Sequence, residues 1–208
     1  MSLELALIVF TLCISLLTQP WRQLRGGALV SPLLAIVVIL PFLWALPRWQ
    51  MMPLPLQLTG ACAVTLMMGW PLAVWVLGAV GLIAQWIAPA NDWDSVFSQI
   101  VWLGLLPSTL ALGLGFVLRR WVWHNPFVYI LGRGFLGTVL CTFIAQLVAD
   151  GMGQPANIPA HPDGYLSTIG VWLMAWGDGF MTGMLTAIFV AYRPEWLATW
   201  SDRIYLKG

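Results

Sequence analysis

The sequence predicts an all-α integral membrane protein: one polytopic domain over residues 1–208 with about seven transmembrane helices. Hydrophobic residues make up 60% of the 208 positions and charged residues 8%, with a mean hydropathy of +0.85. A soluble domain carries about 25% charged residues, so a chain with this little polar surface belongs in lipid. The apolar residues also run in stretches close to the roughly 20 residues that a helix needs to cross a bilayer. Finally, the basic residues gather at alternate junctions between those stretches. The net charge of +1 gives no electrostatic footprint for nucleic acid.

Taken in order, span one runs from about Leu3 to Leu17 and ends at Thr18-Gln19-Pro20-Trp21. Glu4 lies at its outer end, where a carboxylate reaches water. It also stands where a signal peptide needs a basic region, and no Ala-x-Ala site follows, so this run is expected to remain as a membrane helix. Arg22 and Arg25 follow in a Gly-containing loop. Span two covers roughly Ala28 to Leu46, with Pro32 and Pro41 tolerated because lipid leaves the backbone few alternatives to helix. Pro47 to Pro53 reads as an interfacial loop.

Residues 54–87 are apolar for longer than one helix needs. Gly69-Trp70-Pro71 divides them into spans three and four, since Pro71 cannot continue the first helix. After the acidic stretch Pro89 to Asp94, span five goes from about Phe97 to Leu118 and stops at Arg119-Arg120-Trp121. His124-Asn125-Pro126 opens span six, which ends near Ala149. A polar, Pro-rich loop from Asp150 to Tyr165 leads into span seven, Leu166 to Tyr192, closed by Arg193-Pro194-Glu195-Trp196.

With that count, one face carries Arg22, Arg25, Arg119, Arg120, Arg193, Arg203 and Lys207. The other carries Arg48 alone, with Asp92, Asp94, Asp150 and Asp163. The bias of basic residues toward the cytoplasm then puts the N-terminus outside and the C-terminus in the cytoplasm. Trp21, Trp49, Trp86, Trp121, Trp123, Trp196 and Trp200 fall near span ends, as an interfacial aromatic belt requires.

Two charges of opposite sign lie well inside spans: Arg133 and Asp178. Asp178, flanked by Gly177 and Gly179, is about 18 Å into span seven at a rise of about 1.5 Å per residue. Ionisable groups at such depth cost several kcal/mol unless paired or hydrated, which makes each a functional-site hypothesis. One reading is a structural ion pair that pins spans six and seven together. The other is a polar lining for a substrate path. Their depths differ by about 10 Å, so contact between them would need a long reach by the arginine. Gly179 and Gly183 form a small-residue face that lets a neighbouring helix approach Asp178.

His161 and Asp163 sit in the longest outer loop, two residues apart, where imidazole and carboxylate could ligate a divalent cation. The same residues also suit turn chemistry at Pro162-Asp163-Gly164. Met1, Met51, Met52 and Met152 fall on that side too. His124 reads as an exposed helix-start residue. Gly132-Arg133-Gly134-Phe135-Leu136-Gly137 matches a dinucleotide fingerprint in letters, but it stands inside an apolar span with no strand before it, so its glycines read as a packing face. Cys13, Cys62 and Cys141 show no paired spacing and read as buried packing thiols. No nucleophile–base constellation, zinc-protease helix or nucleotide loop is present, so the chain is not expected to be an enzyme and has no energy source of its own.

Two stretches carry a family resemblance. The first runs from Leu56-Gln57-Leu58-Thr59-Gly60 through Met68-Gly69-Trp70-Pro71-Leu72-Ala73 to Gly81 and Gln85. The second is Gly177-Asp178-Gly179-Phe180-Met181-Thr182-Gly183 with Tyr192-Arg193-Pro194-Glu195-Trp196. Both resemble the membrane substrate-binding component of cobalt/nickel energy-coupling-factor ABC transporters, in its uncharacterised permease-like bacterial branch. The resemblance implies a multi-pass protein of the bacterial inner membrane, with a transition-metal ion as substrate, no resident cofactor, and a coupling transmembrane subunit and cytoplasmic ATPases as partners. The family binds metal through its N-terminal amine, a histidine at position two and a histidine before the leucine-glycine span. Here Ser2 and Gln57 stand at those two histidine positions, and a neutral amide is a poor ligand for nickel or cobalt. The family's histidine-proline-aspartate-glycine-aromatic signature has an echo at His161 to Tyr165.

The resulting expectation is a component that captures and translocates a transition-metal ion or related small solute. Gln57, Arg133 and Asp178 are its polar interior, and His161 and Asp163 are candidate outer metal ligands. A non-transporting accessory or assembly protein that kept the fold and lost the metal ligands is the alternative.

Overall fold

A computed structural model describes residues 3–49, 57–89, 92–121, 125–152 and 164–200. All regular structure among the described residues is helical. Leu3–Leu17 (α1) leads through a 3-10 turn, Pro20–Gly26, to Val30–Trp49 (α2). Ala61–Met68 (α3) and Trp70–Ile87 (α4) meet at Gly69. Trp93–Gln99 (α5), a π-helical stretch Ile100–Leu105 and Leu106–Trp121 (α6) run on as one rod. A second π stretch, Val128–Leu136, continues into Gly137–Gly151 (α7), and Gly164–Tyr192 (α8) ends before a 3-10 turn, Pro194–Trp196.

Five of these rods are long and apolar enough to cross a membrane: Val30–Arg48, Trp70–Ile87, Trp93–Trp121, Val128–Gly151 and Thr168–Tyr192. α1 is apolar as well but has only 15 residues. The rods point apolar side chains outward as well as inward. Phe10 is 63% exposed and Phe180 62%, and Val38, Phe116 and Leu173 are exposed too. Water does not tolerate a continuous apolar exterior of this kind, and lipid does. Trp86, Trp93 and Trp121 stand exposed at rod ends, where amphipathic rings settle between hydrocarbon and water. Trp196 and Trp200 are only partly exposed. They turn inward, Trp200 edge-on against Tyr129 at 4.9 Å and Trp196 against Phe189 at 5.5 Å.

The interior is built around α3 and α4. α2 packs along α4, and α3 touches α4, α6, α7 and α8. Trp44 of α2 is fully buried, and glycines make room for it and its neighbours. At Gly104 a side chain would come within 3.1 Å of the Trp44 ring, and at Gly81 it would strike Ile100. On the other side α8 lies on α7 through the small face read from sequence: Gly179 and Gly183 meet Val139 and Phe135. The Gly132 to Gly137 string is likewise a packing device. Gly134 meets Thr186, and the Gly137 amide reaches back to the Gly132 carbonyl, the five-residue step of a π turn.

Two sequence expectations need correction. Span three is not a full-length helix: α3 has only eight residues, about 12 Å, and Gln57–Gly60 before it is irregular. Glu4 is not at a solvated end; it is 6% exposed, on a helix that packs on α4 and α5. The break at Gly69 is as read, with Pro71 in the first turn of α4, where its missing amide costs nothing.

These close approaches give a paired test. Gly179→Val would drive its side chain against the Phe135 carbonyl and Val139, and backbone cannot yield cheaply. We expect a loss of about 1–3 kcal/mol in reversible detergent unfolding. Gly113→Ala, facing open space in α6, should be neutral or stabilise by up to about 1 kcal/mol in the same measurement.

Candidate functional site

The candidate site grows from the reason α3 starts late. Gly60 has φ 62°, a left-handed conformation, and a side chain there would also come within 2.7 Å of Leu40. Only glycine meets both conditions. The irregular backbone ahead of α3 is then satisfied by side chains from distant helices. The Trp44 indole donates to the Thr59 carbonyl at 3.0 Å, and the Gly60 amide donates to Asp178 Oδ1 at 3.1 Å. The Thr59 hydroxyl donates to Asp178 Oδ2. Asp178 is therefore held at both oxygens by one dipeptide, and it lies at the positive, N-terminal end of α3. It is 3% exposed, at the middle of the 29-residue α8.

A second polar chain runs outward from the same point. The Trp44 carbonyl accepts from Gln57 Nε2 at 3.4 Å and from Gln99 Nε2 at 3.1 Å. Gln99 Oε1 accepts from Arg48 Nη2 at 2.6 Å, and Arg48 Nη1 reaches Gln85 Oε1 at 3.1 Å and the Ala88 carbonyl at 2.6 Å. Gln99 thus uses both ends of its amide and Gln57 meets a backbone carbonyl, as burial in an apolar interior demands.

The structure thus brings Gln57 and Asp178 to one short loop and leaves Arg133 elsewhere. Gly134 packs on Thr186 and Gly179 on Val139, so the two rods are antiparallel and Arg133 sits about two turns from the level of Asp178. Its guanidinium lies over the Tyr129 ring at 5.8 Å and occupies the space opened by Gly115. Among the described residues the ion pair is Arg193–Glu195 at 3.1 Å, on the surface. The structural pair between Arg133 and Asp178 is replaced by the Thr59–Gly60 cradle.

His161 and Asp163 lie outside the described residues, as do His124, Met1, Met51 and Met52. Among the described residues no group of three or more His, Cys, Asp or Glu is placed to hold a metal. Cys62 and Cys141 are buried, with Cys62 Sγ 3.8 Å from the Pro107 carbonyl, whereas Cys13 faces outward on α1. Beside Asp178 a cleft of about 260 Å³ opens between α2, α3 and α8. α2 and α8 face each other across it rather than packing together.

Thr59, Trp44, Gln99 and Arg48 were not singled out from the sequence. The signal for Thr59 was present: Thr59-Gly60 directly before an apolar run is a helix-start pattern, and Pro53 and Pro55 upstream resist an earlier start. Nothing local marks Trp44 among 14 tryptophans.

Two double-mutant cycles separate the cradle from the discarded ion pair. Thr59→Val with Asp178→Ala should show a coupling of about 1–3 kcal/mol, the range for contacting residues. Arg133→Gln with Asp178→Ala should be additive within about 0.5 kcal/mol. Detergent unfolding reads both; strong coupling in the second cycle with none in the first would reverse the assignment. Compared with protein-family models, curated proteins and solved structures, the chain matches none.

Proposed function

We propose that the chain is the membrane component of an uptake system for a transition-metal ion or small solute, capturing and translocating it with energy from partner subunits. One observation carries this reading: a buried carboxylate at the middle of a long apolar rod faces the N-terminal end of a half-helix, beside an open cleft. Discontinuous helices whose ends meet at mid-membrane are how many secondary transporters build substrate sites. An irregular crossing is tolerated in lipid only where protein or a cavity surrounds it, a demand that an unbroken helix does not make. The sequence resemblance to cobalt/nickel energy-coupling-factor components supports the same class, with a coupling subunit and ATPases as partners.

In this reading the chain crosses the bacterial inner membrane seven times. The crossings are the five long rods, α1, and a third crossing that takes in the irregular Gln57–Gly60 and α3. The basic residues put the N-terminus outside. The second reading, a non-transporting accessory protein, is favoured by Gln57: it donates to the Trp44 carbonyl at the place where the family carries a metal-binding histidine.

A complex purified in mild detergent through the tagged chain should contain ATPase subunits and hydrolyse ATP. Recovery of the chain alone, without ATPase activity, would sink the uptake reading and leave the accessory one. Orientation is tested separately, in a chain with Cys13, Cys62 and Cys141 replaced by serine. Ser2→Cys should react with an impermeant maleimide on intact cells, and Lys207→Cys only after permeabilisation.

A further inference from the structure

From the cleft we infer the substrate class: a small lipophilic amine, bound with its apolar body between α2, α3 and α8 and its ammonium group toward Asp178. This rests on the uptake reading only for the word substrate; the binding site itself does not.

Three features define the occupant. First, the walls are apolar almost throughout: Ile36 and Leu40 from α2, Ala63 and Met67 from α3, Met181 and Leu185 from α8. A ligand that fills them must offer apolar surface, since each polar group brought in without a partner is penalised. Second, among the described residues Asp178 is the only ionisable group on the lining, with no lysine, arginine or histidine beside it. Its oxygens already accept from Thr59 and Gly60, and a carboxylate has acceptor capacity beyond two hydrogen bonds. A cationic donor completes the group, and an anion is repelled. Third, a bare metal ion is poorly served. Transition metals are held by several donors in a defined geometry, and among the described residues the lining offers one carboxylate, Asp178, the Thr182 hydroxyl and the scattered thioethers of Met67 and Met181, with no imidazole or thiolate. The charge that suits the carboxylate must therefore arrive on an apolar carrier.

The gap between α2 and α8 is also the way in. Ala35 and Ile39 of α2 and Met181 of α8, all on the lining, are exposed and apolar, so a solute dissolved in the bilayer meets apolar surface on its way to the cleft.

The test uses the full chain in lipid nanodiscs, with empty nanodiscs as reference, and three probes that share one ring and differ in head group: 2-phenylethylamine, 2-phenylethanol and phenylacetate. Calorimetry should show saturable amine binding at least tenfold tighter than the alcohol, with none for phenylacetate. Asp178→Asn should bring the amine down to the level of the alcohol. In case that variant fails to fold, Ala35→Trp, at an exposed position on the cleft wall, should remove amine binding while the protein stays monodisperse. Equal affinity for amine and alcohol, saturable phenylacetate binding, or amine binding untouched by Ala35→Trp would each overturn the inference. An ATPase-bearing complex that binds no amine overturns this inference alone. Selective amine binding by a chain purified without ATPases supports it and overturns the uptake reading instead.

Discussion

The structure depends on how one carboxylate is kept in an apolar interior. Asp178 has no water shell there, and an unpaired charge at such depth would cost several kcal/mol. The fold answers with donors from a single dipeptide, the Thr59 hydroxyl and the Gly60 amide. That answer dictates the rest. Gly60 turns its amide to the carboxylate in a left-handed conformation, and that conformation keeps α3 from beginning before Ala61. A helix that begins there is too short to cross, and Gln57–Gly60 ahead of it run irregular. The irregular backbone in turn needs the Trp44 indole and the Gln57 and Gln99 amides for its own polar groups.

This order of causes explains why the glycines fall where they do. Trp44 occupies the middle of the bundle only because Gly104 yields space, and Gly81 does the same for Ile100. Gly179 and Gly183 let α8 settle against Val139 and Phe135, which fixes the height of Asp178 relative to the loop it must meet. Packing and polar satisfaction are thus one problem. A side chain added on the packing face would displace the carboxylate from its donors.

Much of this was legible in the sequence. Apolar run length located six of the rods, because a helix through hydrocarbon has no alternative way to satisfy its backbone. Pro71 and Gly69 marked the break between α3 and α4, since a missing amide is a local fact. Asp178 stood out because a lone acid in an apolar run is rare. Of the two readings open for it, the ion pair with Arg133 gives way for a physical reason: opposite charge suggests a salt bridge, but a neutral hydroxyl and a backbone amide at a helix start serve a carboxylate as well, and they carry no conspicuous letter. Glu4 was placed in water because it is near a rod's end, yet burial there depends on neighbours distant in sequence. The short length of α3 was hidden for the same reason, as its apolar run alone would have supported a longer helix.

The far end of α3 has an attachment of its own. Beyond α8 the chain turns at Pro194–Trp196, and the Ala198 amide donates to the Met67 carbonyl at 2.9 Å, with the Thr199 hydroxyl on the Leu66 carbonyl at 2.9 Å. The last turn of α3 is thereby stitched to the tail segment, while its first turn is stitched to Asp178. Eight residues of helix make a stiff strut of about 12 Å between the two anchorages. The tail and the buried carboxylate are thus tied to opposite ends of one short helix.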